Sequence, residues 1–565
     1  MMKKISILVF AVLVSSRLLA QIDPTVEVNR RYEVRPQDIS KPTLNLFIAD
    51  SLEKFDVSFD YSIFNRQYKD LYEFSPYESS QLKIVEVPKT PLFYARIGAQ
   101  YPMIPSAELY LQGGKTDGLH AALFARHSSF WGQIPDTYTE GNMKNSFGGT
   151  ASYAWKTGEV IFDIQYDYNK FKYSLAEDSE VFDDHNNSSL NLNVNLKSAN
   201  ADDNSVYYDV ALGFRNGQKN LIYDDPDWGS LLEENHLRFG GNVGATFDKH
   251  RIFIDMDIEF STYSECRDFS AGVVELSPIY QYRNKWLDAK LGIKFGNYYM
   301  IKGKEIDVDM ENDNATNFFP DIDARFSLVD KIFWVHALIG GGNDLNSYVS
   351  MLDRCPYIST ETDLELSTRP IDTKLALEML IFGKFNLNLF GIYTLHDNKA
   401  VFKPSYWGNA TQDIKAEYMD MSHLGAGVEL FWDSQDVTAG GSLSYNVWKD
   451  REETPEVVTE MPKLEGDAFF RYNFRDRIIA QVDCSYRSEV SGTFADLYGS
   501  GPWTGDSYSY AVDAIVDLGF NLNFRINKHF AVYGKIGNIL DKRNQYTPYY
   551  IEPGRNYGGG LCVSF

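Results

Sequence analysis

Four acidic residues at alternate positions, Asp307, Asp309, Glu311 and Asp313, have the spacing of a calcium-binding loop, in which oxygens from every second residue converge on one cation. The sixth place in such a loop needs glycine for its sharp turn, and Asn312 stands there. A solvated acidic loop is the first expectation, and a weak divalent-cation site is the alternative. The nine histidines form no HExxH pair, and Ser, His and acidic residues are too widely scattered to define a nucleophilic triad. The residues therefore point to no enzyme, no cofactor and no firm metal site. Cys266 and Cys355 are the remaining reactive candidates, and an oxidising compartment would permit a disulfide between them.

The chain that carries these groups has 565 residues, with 54 Lys and Arg against 78 Asp and Glu, for a net charge of −24. This balance excludes nucleic acid as a partner, because phosphate binding needs clustered basic residues. A mean hydropathy of −0.33, with no apolar run near 18 residues, excludes a helical membrane bundle. Tyr and Phe are abundant, at 37 each, and favour strands. They and glycine are spread without a linker-like break, so one large unit is expected.

The first twenty residues differ from the rest. Lys3 and Lys4 precede an apolar run from Ile5 to Val14, and Leu18-Leu19-Ala20 ends in a small residue before Gln21. Residues 1–20 are expected to be an export signal. Residues 21–91 form an expected periplasmic segment, and residues 92–565 an expected barrel.

Beyond residue 91 the dominant pattern is alternation. Val160, Phe162, Ile164 and Tyr166 alternate with Ile161, Asp163, Gln165 and Asp167, and Ile252, Ile254, Met256 and Ile258 alternate with Asp255, Asp257 and Glu259. Each segment is a two-faced strand. Near the C-terminus Val516, Leu518, Phe520, Leu522 and Phe524 repeat the pattern. A soluble sandwich shares this period, so the connections must decide. Short turns at 156–158, 248–250, 283–285, 329–331, 383–384, 433–436, 475–477 and 527–529 alternate with long polar segments such as 299–314, 342–367 and 397–414. Sorting by length is the mark of a membrane barrel, with short periplasmic turns and long outer loops. With turns near 113–118 and 198–205 and first outer loops near 101–106 and 127–148, eleven hairpins are expected. The fold class is thus an all-β, transmembrane antiparallel β-barrel of about 22 strands. Asp163, Asp167, Asp255, Asp257 and Glu259 would line its lumen and Phe162 and Ile254 would face lipid. Cys484 would also face lipid, and Cys562 would point inward.

Phe565 ends the chain with an aromatic residue, and Val563, Leu561 and Tyr557 share its strand face. That ending suits recognition by the barrel-assembly machinery and places the chain in the cell outer membrane, with its lipids as neighbours. The preceding hairpin, Gly537-Asn538-Ile539-Leu540-Asp541-Lys542-Arg543, then Tyr549-Tyr550, Pro553-Gly554-Arg555 and Gly558 to Phe565, resembles the end of a TonB-dependent receptor barrel. The resemblance implies 22 strands, in agreement with the hairpin count. The segments Asn317 to Ile322, Gly340 to Asn343 and Pro356-Tyr357 resemble a TonB-dependent receptor-like subgroup of the Bacteroidota, in which an Asn usually precedes the Pro-Tyr pair. Arg354-Cys355 stand there instead, so no role carries over for that Asn. In the hairpin, Asn538, Asp541, Pro553, Gly554 and Arg555 are expected to set register through a contact between Asp541 and Arg555.

The resemblance implies an N-terminal plug, yet Gln21 to Pro91 supplies only 71 residues. A conventional plug is therefore not expected, and coupling to TonB is not expected with it. Two functions follow. One is a channel or uptake pore for cationic or neutral polar solutes. The other is a platform for a lipoprotein or an envelope-assembly complex.

Overall fold

The computed structural model describes residues 91–565 except 114–117, 134–138, 174–182, 200–205, 223–229, 266–267, 303–312, 408–410, 435, 452–460, 496–506 and 548–549. The expected export signal, most of the N-terminal segment, Cys266, and Asp307, Asp309 and Glu311 lie outside the described residues.

Twenty-two strands form one sheet in which every described pair is antiparallel. The first strand, Phe93–Tyr101, pairs with Ile104–Gln112 on one side and with the last strand, Asn556–Ser564, on the other. That seam closes the barrel and removes the free edges that an open sheet would expose. At its end Phe93 and Phe565 exchange backbone hydrogen bonds of 3.0 and 2.9 Å. A Cβ on Gly98 would sit 2.1 Å from the Tyr533 hydroxyl, so this glycine lets the tyrosine lie flat across the seam.

Alternation decides which side chains meet which solvent. Phe162, Ile164 and Tyr166 are 42%, 40% and 41% exposed on the outer surface, whereas Ile161, one position before them and on the other face, is buried. Ile252 and Ile254 continue the exposed belt, as do Leu522 and Phe524 on Ile515–Arg525. An apolar belt around a closed barrel is the surface that acyl chains cover. The barrel therefore spans a membrane with strands. Among the described residues no helix is long and apolar enough to do so.

The tight turns lie at one end. Asp248, Lys331, Phe382 and Arg475 occupy them with φ between 51° and 61°. Two-residue hairpin turns need such left-handed residues to match strand twist. Longer connections lie at the other end, where the hairpin of Val490–Ala495 with Ser507–Val512 and the helix Tyr348–Arg354 are found.

Several expected loops are in fact paired. Residues 397–414 belong largely to Phe385–Trp407 and Thr411–Asp433, each 23 residues long and far longer than a bilayer crossing requires. Likewise, Leu119–Gln133 and Thr139–Trp155 take up most of 127–148, and Tyr101 and Ile104 are separated by only a two-residue turn. Polar residues do not stop a ladder outside the membrane, because water there solvates both faces.

Candidate functional site

The lumen wall is a mesh of paired charges. On Leu287–Lys302, Leu291 and Ile293 face outward while Lys290 and Lys294 face inward at alternate positions. Lys290 pairs with Asp323 at 2.9 Å, and Lys294 with Glu275 at 3.1 Å. Arg325 pairs with Glu378 at 2.9 Å, and His336 bridges Asp323 and Glu378 at 2.8 and 3.2 Å. Arg369 joins Asp344 and Asp372 at 2.7 and 3.2 Å. Most of these pairs join strands that are neighbours in the sheet, while Arg325 reaches past one strand to Glu378 and Arg369 meets Asp372 on its own strand, so these charges find partners within the wall.

Of the five acids expected to line the lumen, Asp257 and Glu259 join this mesh through Arg238. Asp257 accepts from Arg238 at 2.7 Å, and Glu259 lies 3.3 Å from the same guanidinium. Asp167 accepts from Gln165 at 2.8 and 3.1 Å. Asp163 stands opposite Thr150 and Asn193, and Asp255 opposite Asn242 and Ser277. The cations Arg238, Lys290, Lys294, Arg325 and Arg369 were missed in sequence. Their signal was the same alternation, read for basic residues as well as acidic ones.

The outer mouth is built differently. Residues 346–365, between Phe333–Leu345 and Leu366–Ile381, fold inward as a strap. Ser347 caps the strap's helix by accepting from the Ser350 N–H at 3.2 Å. Tyr348, Met351, Leu352, Ile358 and Leu364 pack with Leu232, Tyr263 and Phe269 on one wall and with Phe402 and Ile414 on the other. Tyr263 and Ser261 continue the alternate positions of Asp257 and Glu259, which puts this cluster on the lumen side. Ser359 donates to the Ile414 carbonyl at 2.8 Å, and Ile358 bridges to Ile414 in parallel. The Tyr357 ring lies 5.6 Å from Phe171, and burial pushes its hydroxyl well above the ordinary phenol range, so it stays neutral.

Polar groups of the wall hold the strap as well. Glu234, 0% exposed, accepts from the Val349 N–H at 2.8 Å and from Ser261 at 2.8 Å. Lys219, 1% exposed, donates to the carbonyls of Ile358 at 2.5 Å and Pro356 at 3.3 Å. Asn187 also donates to Pro356 at 3.3 Å, and Arg215 pairs with Asp353 at 2.8 Å. Nothing in the sequence linked the strap to residues more than a hundred positions away.

In the last hairpin the Asp541 carboxylate accepts from the Arg555 backbone N–H at 2.8 Å, beside Gly554. Asn538 donates to the carbonyls of Lys542 at 2.6 Å and Pro553 at 3.5 Å. Tyr557 is exposed with its ring 5.4 Å from Tyr101, and Phe565 is exposed beside His529 and Phe530. Cys562 is buried on the lumen side and accepts from Tyr94, Cys484 is half-buried, and Cys355 is buried in the strap cluster. Asp313 begins the strand Asp313–Val329. Among the described residues no three His, Cys, Asp or Glu side chains are grouped to hold a metal ion.

No family profile matches the chain, and no curated protein does. Solved structures do share its fold. The FrpB iron transporter of Neisseria meningitidis (F3-3 variant) matches with a TM-score of 0.64 at 9% identity, over 85% of this chain and 82% of that one. The siderophore receptor PirA of Acinetobacter baumannii matches at 0.63 and 13% identity, over 85% and 81%. The copper transporter OprC matches at 0.62 and 11% identity, over 84% and 80%. Identities this low speak for the fold alone. Together with the closed sheet and its apolar belt, they make this chain an outer-membrane β-barrel with the 22-stranded architecture of TonB-dependent receptors.

Proposed function

We propose that the barrel takes up polar solutes across the outer membrane, with the charged lumen wall as their path. The observation that carries this reading is the self-satisfied mesh from Arg238 to Glu378, which needs no resident filler to neutralise it. Its surplus carboxylates, Asp163 and Asp255 among them, favour cationic or neutral solutes. The fold similarity to transporters of iron and copper supports uptake as the class of activity. Liposome swelling tests it. Small cations and neutral sugars should enter faster than anions of equal size, and equal exclusion of all three would overturn the reading.

The same proposal treats residues 21–91 as a short periplasmic segment rather than a conventional plug, and omits TonB. Collapse of the proton-motive force should then leave uptake by whole cells unchanged. Loss of uptake would restore energy coupling.

The packed outer mouth favours a second reading, a platform for an envelope partner. Stoichiometric copurification of one protein from mild detergent, with no solute flux, would select it.

A further inference from the structure

The strap is held by wall groups that in its absence would need something else to bind. Burying a charged side chain is costly unless its hydrogen bonds are made. Glu234 and Lys219 make theirs to main-chain atoms of Val349, Pro356 and Ile358, Asn187 makes another to Pro356, and Arg215 holds the Asp353 carboxylate. Gly217, between Arg215 and Lys219 on the same lumen face, leaves the space that Val349 fills. A Cβ there would come within 2.1 Å of the valine Cγ2. The wall thus presents one acceptor for an N–H, donors for two carbonyls, a guanidinium for a carboxylate, and a notch for a small apolar side chain.

From this chemistry we infer that the wall patch of Asn187, Arg215, Gly217, Lys219 and Glu234 is a binding site for an acidic peptide, and that residues 346–365 occupy it as a built-in competitor. The inference goes beyond the uptake reading: an acidic peptide is not among the cationic or neutral solutes that the lumen favours, so the peptide is a ligand of the outer mouth and not the solute carried. A peptide offers the same donor and acceptor set as the strap, whereas a sugar lacks the carboxylate and a polyamine lacks every acceptor. Displacement exchanges one set of satisfied charges for another, so it does not strand Glu234 or Lys219 in a dry site.

The experiment uses the full-length protein in detergent. Val349 is 3% exposed, so the thiol introduced by Val349→Cys should be protected from maleimide while the strap is seated. Saturating Ala-Val-Asp tripeptide should raise its labelling rate about tenfold, and a disaccharide or spermine should not. A second variant, Gly217→Cys with Val349→Cys, brings together positions whose Cβ atoms are 3.3 Å apart, close to the disulfide range of about 3.5–4.5 Å. The tripeptide should slow formation of this cross-link about tenfold. Unchanged labelling and cross-linking with the tripeptide, or an equal response to the disaccharide, would overturn the site. Neither readout requires flux. A peptide response without flux in liposomes would instead retain the site and defeat the uptake reading.

Discussion

The middle of the lumen and its outer mouth are made from the same strands at the same alternate positions, yet they resolve their charges in opposite ways. Mid-lumen cations pair with acids of the wall itself, as Lys290 does with Asp323 and Arg238 with Asp257, so these charges are met without a segment from elsewhere. At the mouth Glu234 and Lys219 bond to the backbone of a strap that arrives from elsewhere in the chain. One region can stand open to water. The other is satisfied only while something occupies it. A wall and a seat are thus distinguished by the partner of each charge rather than by the charge itself.

The largest expected effect tests whether the mouth depends on packing. Met351→Ala or Ile358→Ala removes a fully buried side chain and should weaken strap docking by about 2 to 5 kcal/mol, while the barrel stays intact. Amide exchange at Met351 and Cys355 should accelerate accordingly, with the heat-modifiable band unchanged. Protection that survives both substitutions would make the strap a fixed part of the wall.

Next comes the contrast between the lipid face and the lumen. Phe162→Arg or Ile254→Arg should cost about 2 to 4 kcal/mol if the site lies near the bilayer midplane, and Asp163→Asn should cost far less. Unfolding titrations in lipid vesicles would show this, and equal tolerance on both faces would remove the barrel's orientation.

A smaller loss is expected from Glu234→Gln. A bond to a charged acceptor contributes about 1.5 to 3 kcal/mol, and here the weakening should fall on strap exchange rather than on global stability. A global loss with no change in the strap would assign Glu234 to the wall.

The smallest change is predicted for the mesh. Lys290→Met should alter stability by at most about 1 kcal/mol, because both partners are partly exposed. The same substitution should move the reversal potential in a salt gradient toward stronger cation preference. An unmoved potential would place Lys290 off the solute path.

Alternation made the barrel legible in the sequence because a strand's side chains must alternate between lipid and water wherever it crosses the bilayer. Phe162 against Asp163 and Ile254 against Asp255 are local consequences of that rule, and the sorting of short and long connections follows from insertion in one direction. Loop lengths were less legible. The 23-residue strands around 397–414 continue above the membrane, where no apolar face records them.

Local pattern also located Asn538, Asp541 and Arg555 in one hairpin, since a turn brings near neighbours together. The strap could not be found that way. Asn187, Lys219 and Glu234 meet Pro356, Ile358 and Val349 only because closure of the sheet brings the strands bearing them within reach of residues 346–365. Period-two patterning determines which way a side chain points. What it meets there is decided by the curvature of the closed barrel and the path of one inward loop, which are properties of the whole chain.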